Sequence, residues 1–161
     1  MKSMPIVWTR LVKSGETCNR CGDTRGELEA AVVKLAAALS PLGIEPRLEM
    51  QQLDEATFKA NPSESNRVWI AGKPVEEWLG AGVGMSRCCS VCGDSDCRTL
   101  ELGDRTFEVI PQDLFIKAGL IAASELISST SAADRASSEC SSSAAAPCAP
   151  PHQRAKGSCC G

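Results

Sequence analysis

Tyrosine is absent from this 161-residue chain, and histidine occurs only once, as His152. His152 lies in a segment rich in Pro, Ser and Ala, outside the part of the chain that is predicted to fold. The usual general base for hydrolysis at neutral pH is therefore missing from the folded part. Ser-His-Asp and Cys-His catalysis are excluded, so any enzymatic reaction must be carried out by thiols and carboxylates.

The sequence also lacks an excess of positive charge. Seventeen Lys and Arg residues stand against twenty Asp and Glu residues, which gives a formal net charge of -3, and the sequence contains no basic block. Nucleic acids and anionic membranes bind basic surfaces. We therefore expect neither of them as a partner.

Long apolar runs and a secretory leader are missing as well. No apolar run approaches the roughly 20 residues of a membrane-spanning helix, and the most apolar helix candidate, 112–127, is interrupted by Lys117 and Glu125. Ten cysteines without a leader indicate a reducing compartment, where thiols bind metals or take part in redox chemistry. The sequence therefore predicts a cytoplasmic protein.

Cysteine is the residue that the chain has in abundance. Four cysteines fall within one short stretch, at Cys88, Cys89, Cys92 and Cys97. The pattern CxxCGD in this stretch also occurs at 18–23, where it contains Cys18 and Cys21. Two remote segments with the same pattern predict one shared site. Because thiolates are nucleophiles, soft-metal ligands and redox groups, three uses of this site stay open.

The first half of the chain shows the pattern of a parallel strand-helix-strand unit. The β-branched stretch 6–12 predicts a first strand, and the following helix is predicted to begin at a capping box formed by Thr24 and Glu27. Alternating apolar residues over 44–50 predict a second strand, which Pro46 places at the edge of the sheet. A helical connection between the two strands implies that they are parallel.

The second half shows shorter elements. In chain order, the patterns predict a helix near 53–60, a strand at 68–71, a hairpin over 98–110 and a helix from Pro111 to 127. Gly80, Gly82 and Gly84 predict a loop before the thiol-rich stretch. Together these elements predict an α/β domain over 1–127, in which a β-sheet carries helices on both faces.

From residue 128 the composition changes to Ser, Ala and Pro without sustained periodicity, which predicts a disordered tail over 128–161. The tail ends in Cys159-Cys160-Gly161. A random coil of this length has a root-mean-square reach on the order of 30 Å. The two terminal thiols are therefore expected to reach a site on the folded domain.

A metal site is one interpretation of the thiol pattern. CxxCG is a knuckle that wraps a thiolate pair around zinc, and two such knuckles supply four ligands: Cys18, Cys21, Cys89 and Cys92. Cys88 and Cys97 are then additional thiols. Additional thiols favour a site that receives and exchanges a soft ion, either zinc or an ion of the mercury or arsenic type. A zinc-stabilised interaction module is the alternative within this interpretation.

Redox chemistry is the second interpretation. A CxxC between a strand and a helix places its first thiol near the helix N-terminus, where the partial positive charge and the backbone amides favour the thiolate. Cys18 is then the attacking thiol and Cys21 the resolving thiol, with Arg20 and Arg25 adding positive charge. This interpretation predicts a thiol-disulfide oxidoreductase that acts on a thiol or disulfide protein.

The predicted strand order and the position of the Cys18/Cys21 pair resemble the thioredoxin-like fold over about residues 4–127. The resemblance implies a mixed sheet flanked by helices, with the cysteine-rich stretch as a loop insertion. The chain differs at two points. It has Ser65-Asn66 where that fold usually has a cis-proline facing the active site, and its helix is predicted to start after Cys21.

Three separate motifs carry a second resemblance: ETCNRCGDT at 16–24, EEWLG at 76–80 and CCSVCGD at 88–94. They are similar to those of an uncharacterised bacterial family of thioredoxin-like proteins over most of residues 6–127, which implies a fold and no reaction. The terminal Cys159-Cys160 pair resembles the C-terminal cysteine pair of mercuric reductases. That resemblance implies transfer of a metal ion from the tail to a buried dithiol.

The sequence thus predicts a thiol-rich centre for soft-metal binding and exchange, for thiol-disulfide exchange, or for both, of the kind used in heavy-metal detoxification. The predicted metal ligands are Cys18, Cys21, Cys88, Cys89, Cys92, Cys97, Cys159 and Cys160. Cys18 and Cys21 are also the predicted redox pair. The expected partners are a soft metal ion or a thiol or disulfide protein.

Overall fold

A computed structural model of the chain describes residues 1–88 and 92–138, with side chains up to residue 129. The first compact unit is Met1–Ser128. In the unit that begins at Ser129, the described residues continue the last helix to Ser138. The predicted tail beyond that residue lies outside the described residues.

A four-stranded mixed sheet forms the centre of the first unit. Its strands are β1 (Lys2–Leu11), β2 (Ile44–Leu53), β3 (Arg67–Ile70) and β4 (Lys73–Pro74), in the order β2-β1-β3-β4. β1 and β2 are parallel, whereas β3 is antiparallel to both β1 and β4. The predicted parallel pairing of the first two strands and the edge position of the strand with Pro46 are confirmed.

Four helices connect and flank the strands: α1 (Asn19–Leu39), α2 (Glu55–Ala60), α3 (Val75–Leu79) and α4 (Gln112–Ser138). The α/β class, with a mixed sheet flanked by helices, is confirmed. α4 continues past the predicted end at residue 127, because the chain contains neither Gly nor Pro between Ser128 and Ser138. Within the part of the chain that the structure describes, no helix has the length and apolar character needed to cross a membrane.

The prediction for the start of α1 is wrong. The helix begins at Asn19, and Cys18 is its N-cap residue with an extended backbone. The Cys18 sulfur accepts a hydrogen bond from the backbone N–H of Cys21, with a distance of 3.4 Å between N and Sγ. A cysteine sulfur thus fills a role that Ser, Thr, Asp and Asn usually have, and the capping-box pattern pointed to Thr24 instead.

The two residues of the predicted capping box make tertiary contacts instead. Thr24 is fully buried, and its hydroxyl accepts a hydrogen bond from the Asn66 side chain at 3.2 Å. The Glu27 carboxylate accepts a hydrogen bond from the backbone N–H of Gln112, the first residue of α4, at 2.7 Å. Glu27 therefore caps the N-terminus of α4, one of the positions where a carboxylate is stabilised by unsatisfied amides.

The strands after α3 form a second sheet, although the sequence predicts one sheet. They are β5 (Gly82–Arg87), β6 (Asp96–Leu102) and β7 (Arg105–Phe107), all antiparallel. The predicted hairpin is confirmed, because Leu102 pairs with Arg105 across Gly103-Asp104. The chain leaves the first sheet at Gly80, which ends α3 with a left-handed φ of 62°.

The loop predicted at the glycines is wrong for Gly82 and Gly84, which belong to β5. Gly84 lies opposite Thr99 of β6. A Cβ atom on Gly84 would stand only 2.7 Å from the Thr99 hydroxyl oxygen. Glycine is therefore present to make room for side chains of the neighbouring strand, and not to loosen the backbone.

The core lies between the first sheet and the pair α1 and α4. The fully buried side chains of β1, Met4, Ile6 and Trp8, belong to the same apolar cluster as Leu28 and Leu35 of α1 and Phe115, Ala118 and Ala122 of α4. The indole N–H of Trp8 donates to the Asn66 side-chain oxygen at 3.2 Å. The core thus ends in polar contacts at Asn66, close to the start of α1.

We expect a Gly→Ala substitution to have opposite effects on stability at two glycines in helices. A Cβ atom on Gly119 of α4 would lie 2.6 Å from a methyl group of Leu35, which is 1% exposed, whereas nothing lies within 4 Å of a Cβ on Gly26 of α1. We expect Gly119→Ala to lower the free energy of unfolding by about 1 kcal/mol, because overpacking exceeds the gain in helix propensity. Gly26→Ala should raise it by up to about 1 kcal/mol. Urea unfolding checks both, and equal signs would contradict the close helix contact.

Candidate metal centre

Four thiols from two remote segments of the chain meet in one cluster, which we name the thiol quartet: Cys18, Cys88, Cys92 and Cys97. All four Sγ atoms lie within 4.8 Å of one another. The Sγ atoms of Cys88 and Cys18 are 3.6 Å apart, and those of Cys97 and Cys92 are 3.3 Å apart. The two CxxCGD segments therefore meet at a single place, since Cys18 comes from one and Cys92 from the other.

The β5/β6 pairing explains why Cys88 and Cys97 are close. Ser86 lies opposite Cys97, and Arg87 lies opposite Asp96. Cys88 follows directly after the last residue of β5, so it emerges at the same end of the sheet as Cys97. Cys18 is placed by a different element, since it caps the N-terminus of α1.

The geometry of the thiol quartet fits a tetrahedrally coordinated soft metal ion. With a zinc-sulfur bond of 2.3 Å, the sulfurs of a tetrahedral site are about 3.8 Å apart. The observed separations, from 3.3 Å up to at most 4.8 Å, bracket this value. Cys18, Cys92 and Cys97 are buried, with 2%, 7% and 1% of their surface exposed, and Cys88 is half-buried. This donor set can hold zinc or a heavier thiophilic ion.

Arg20, inside the first CxxC, ties the start of α1 to the end of β5. Its guanidinium donates to the carbonyl oxygen of Arg87 at 2.9 Å and forms an ion pair with Glu108 at 2.8 Å. These contacts join the segment of Cys18 to the residue that precedes Cys88. The sequence predicted that Arg20 stabilises the thiolate by its charge, and the structure shows that it positions the two segments. Arg25, the other predicted cation, pairs with Glu29 on the exposed side of α1.

Arg98 anchors the strand that carries Cys97. It is 8% exposed, donates to the backbone carbonyl of Ser63 at 3.0 Å and forms an ion pair with Glu76, which is itself 8% exposed. One buried cation thus joins β6 to α3 and to the turn before β3. Its burial excludes the role of a solvated surface charge.

Cys21 lies next to the thiol quartet without belonging to it. The thiol is 1% exposed, and its sulfur is 3.9 Å from the hydroxyl oxygen of Ser65. Ser65 in turn accepts a hydrogen bond from the backbone N–H of Leu11 at 3.0 Å. The Ser65-Asn66 segment therefore faces Cys21, at the position where the thioredoxin-like resemblance implies a cis-proline. All peptide bonds of the described residues are trans.

The cluster contains one thiol whose ionised form is favoured and neighbours whose protonated forms are favoured. Hydrogen bonds from the Cys21 thiol and then the Cys97 thiol lower the pKa of Cys18 far below its usual range. The pKa values of Cys21 and Cys97 are raised, first because each donates to Cys18 and second because each is buried. Burial raises the pKa of Cys92. Without a metal ion, the neighbouring thiols therefore favour the thiolate form of Cys18.

A cavity of about 270 Å³ gives access to the cluster at Cys92. It lies between the segment after Cys92 and the first residues of α2, and its lining residues are Leu11, Lys13, Glu55, Phe58, Lys59, Cys92, Gly93, Asp94 and Ser95. Glu55 is paired with both lysines, at 3.5 Å and 2.9 Å. A metal ion or a small thiol can approach Cys92 through this opening.

The structure thus brings together only part of the predicted set of eight cysteines. Cys18, Cys88, Cys92 and Cys97 form the thiol quartet, and Cys21 lies beside it. Cys89, Cys159 and Cys160 lie outside the described residues. Sequence reasoning chose the CxxC spacing and treated Cys88 and Cys97 as additional. The signal for Cys97 was its place directly before the predicted hairpin over 98–110, because a strand fixes the position of the residues next to it.

Comparisons with known proteins identify a family and no reaction. No solved structure matches the chain. A protein from Archaeoglobus fulgidus, described as "Uncharacterized protein", is 45% identical over 111 residues, which cover 69% of this chain and 81% of that protein. The relative is archaeal, whereas the sequence resemblance pointed to a bacterial family. The family described as "Domain of unknown function (DUF2703)" matches residues 4–119, and the chain therefore belongs to this family.

Proposed function

We propose that the protein binds a soft metal ion, zinc or a heavier thiophilic ion, in the thiol quartet and exchanges it with external thiols. The observation that carries this proposal is the distance between the sulfurs, since four Sγ atoms within 4.8 Å match one tetrahedral ion. Uncoordinated thiols seldom form such a cluster at the meeting point of separate segments. A soft ion satisfies all four at once, because thiolates are its preferred ligands.

Exchange is favoured over a purely structural role by the way the site opens. Cys88 is half-buried, and Cys92 lines a cavity of about 270 Å³. An incoming thiol can therefore reach two of the four ligands, whereas a structural zinc site is closed by its own protein ligands. The terminal Cys159-Cys160 pair, predicted to pass an ion to the folded domain, is the intramolecular candidate for that incoming thiol. The cytoplasm remains the proposed compartment.

A thiol-disulfide oxidoreductase is the second candidate, and one observation favours it. Cys18 lies at the N-terminus of a 21-residue helix and accepts the backbone N–H of Cys21, an arrangement that activates the first thiol of a CxxC pair. The sheet order β2-β1-β3-β4 and this position of the pair support the proposed thioredoxin-like relation. In a zinc-stabilised interaction module, by contrast, chelation would unfold the domain without affecting any redox rate.

Metal titration of the reduced full-length chain tests the proposal. We expect one tightly bound Zn²⁺ or Cd²⁺ per chain, with the sulfur-to-cadmium absorption of a four-thiolate site. Because the raised pKa values of Cys92 and Cys97 mean that both must lose a proton on binding, the apparent affinity should rise as the pH rises. At least two released protons give at least a roughly hundredfold gain in affinity per pH unit around neutrality.

The same titration on a Cys159→Ser/Cys160→Ser variant distinguishes the contribution of the thiol quartet to metal binding from that of the terminal cysteine pair. The tight site should keep its stoichiometry and its absorption, because all four ligands of the thiol quartet are retained, while loading from a metal-thiol complex should become slower. Absence of a tight site in the intact chain, or a site with fewer than four sulfur ligands, would contradict the proposed function.

A further inference from the structure

Three thiols form a path from the surface to the interior beside the metal centre. Cys88 is half-buried, and its sulfur is 3.6 Å from that of Cys18, which is 2% exposed. The next thiol inward is Cys21, which is 1% exposed and lies one helical turn after Cys18. Exposure thus decreases in the order Cys88, Cys18, Cys21, and each thiol is a neighbour of the next.

The inner pair has the geometry of a disulfide that can form without rearranging the helix. Residues three positions apart at a helix N-terminus have Cα atoms about 5 Å apart, within the range of roughly 4.4 to 6.8 Å found in disulfides. The backbone N–H of Cys21 already contacts the Cys18 sulfur at 3.4 Å. Cys21 also remains available when a metal ion is bound, because it is not a member of the thiol quartet.

We propose that Cys88, Cys18 and Cys21 form a thiol relay that reduces an external disulfide and, by oxidising Cys18, removes one ligand from the thiol quartet. The external disulfide is of the class R–S–S–R, either a low-molecular-weight compound or an exposed protein disulfide. The coupling to metal release rests on the function proposed above, whereas the relay itself does not.

Each step of the relay is a thiol-disulfide exchange. The Cys88 thiolate attacks R–S–S–R, forms Cys88–S–S–R and releases the first RS⁻. The Cys18 thiolate then attacks the Cys88 sulfur, forms a Cys18–Cys88 disulfide and releases the second RS⁻. Cys21 attacks the Cys18 sulfur, forms the Cys18–Cys21 disulfide and restores the Cys88 thiolate. In total two protein thiols are oxidised, and R–S–S–R takes up their two electrons and two protons as 2 RSH.

Access explains why the reaction starts at Cys88 and ends at Cys21. A disulfide as large as a peptide can reach a half-buried sulfur, and it is excluded from one that is only 1% or 2% exposed. The closest other pair, Cys92 and Cys97 at 3.3 Å, is the competing site of oxidation. The cavity of about 270 Å³ admits a small thiol to Cys92, but Cys92 is only 7% exposed, whereas Cys88 is half-buried. A disulfide as large as a peptide therefore meets Cys88 first, and a mixed disulfide on Cys88 already has Cys18 next to it, which favours the relay.

Sharing of Cys18 makes metal binding and oxidation mutually exclusive. A sulfur that is part of a disulfide cannot supply the thiolate that a metal ion needs. Bound metal should therefore slow the oxidation, and oxidation should release the metal, because the linkage between the two equilibria is reciprocal. The protein would then hold its ion under reducing conditions and release it when disulfides accumulate.

The test is oxidation of the reduced, metal-free full-length chain by oxidised glutathione, followed by alkylation, trypsin digestion and mass spectrometry. Trypsin cleaves after Arg20, so Cys18 and Cys21 fall on separate peptides that a disulfide would join. We expect the joined 14–20 and 21–25 peptides as the main product. A main product with a Cys92–Cys97 disulfide, or with glutathione left on Cys18 or Cys21 as the first adduct, would overturn the relay.

Matched variants separate the relay from the metal site. Cys21→Ser should bind Zn²⁺ like the intact protein and should stop at the Cys18–Cys88 disulfide during oxidation. Cys97→Ser should bind Zn²⁺ about a hundredfold more weakly and still form the Cys18–Cys21 disulfide. Cys88→Ser, a change at a half-buried position, should form that disulfide at least about tenfold more slowly, since the exposed thiol is missing. An unchanged rate in Cys88→Ser would overturn the proposed first step.

The two proposals fail in different ways. If the intact chain binds no metal tightly but forms the Cys18–Cys21 disulfide through Cys88, the proposed metal function is wrong and the relay is retained. If Zn²⁺ binds tightly but is not released by oxidised glutathione, or is released before any disulfide forms at Cys18, the coupling is wrong and the metal function is retained.

Discussion

Replacement of Cys97 by serine is expected to weaken Zn²⁺ binding about a hundredfold. Structural zinc sites with four protein ligands have apparent binding free energies of about 10–16 kcal/mol, so one thiolate accounts for about 3 kcal/mol, which corresponds to about two decades in Kd. Cys97 is 1% exposed and lies in β6, so the strand holds its sulfur in place in the quartet. Competition with a chromogenic chelator measures the change in Kd.

Cys21→Ser is the matched control for this prediction. Both thiols are 1% exposed, both have a raised pKa, and both lie next to Cys18. They differ in that Cys97 belongs to the thiol quartet and Cys21 does not. We therefore expect the Kd of Cys21→Ser to stay within about threefold of that of the intact protein, because no ligand is lost. A larger loss in Cys21→Ser than in Cys97→Ser would show that the CxxC pair, and not the quartet, holds the metal.

The sequence-based prediction and the structure disagree on the question that this control tests, namely which thiols belong to the metal site. From the spacing alone, Cys21 and Cys89 were the natural partners of Cys18 and Cys92, because each pair forms a CxxC. The structure replaces Cys21 with Cys97, since the β5/β6 register places Ser86 opposite Cys97. This register was not predictable, because Gly82 and Gly84 indicated a loop. Their role is to make room for side chains of β6, and sequence spacing does not show such tertiary contacts.

The fold was predictable from the sequence where a periodic pattern extends over many residues. The prediction was wrong where a short motif is compatible with two different sets of contacts. β1, β2 and α1 follow from alternation and helical spacing, and their parallel pairing follows from the helical connection between the strands. The predicted start of α1 was wrong because Thr24 and Glu27 do not cap this helix. Their side chains form hydrogen bonds with Asn66 and with the N-terminus of α4. A capping-box pattern cannot be distinguished from such tertiary contacts without the packing of α1 against its neighbours.

Removal of the buried Arg98 charge is expected to destabilise the domain by about 3–5 kcal/mol. Arg98→Met leaves the Glu76 carboxylate buried without its cation, and the second oxygen of that carboxylate already lacks a hydrogen-bond partner among the described residues. The carbonyl oxygen of Ser63 loses its donor as well. The loss should lower the Tm by roughly 10–20 °C. Thermal and urea unfolding of the metal-free protein measure both quantities.

Two further variants decide whether the cause is the unpaired charge. Arg87→Met removes a similar side chain from an exposed ion pair, in which Arg87 is 68% exposed and its partner Asp94 is fully exposed, and it should leave the free energy of unfolding unchanged. The double variant Arg98→Met/Glu76→Leu should be clearly more stable than Arg98→Met alone, because it no longer buries a lone carboxylate. If the double variant is instead the least stable of the three, packing around Arg98 is the cause and the ion pair is not. In either case Arg98→Met should also weaken metal binding. Cys97 is the neighbour of Arg98 in β6, and the ion pair between Arg98 and Glu76 holds this strand against α3.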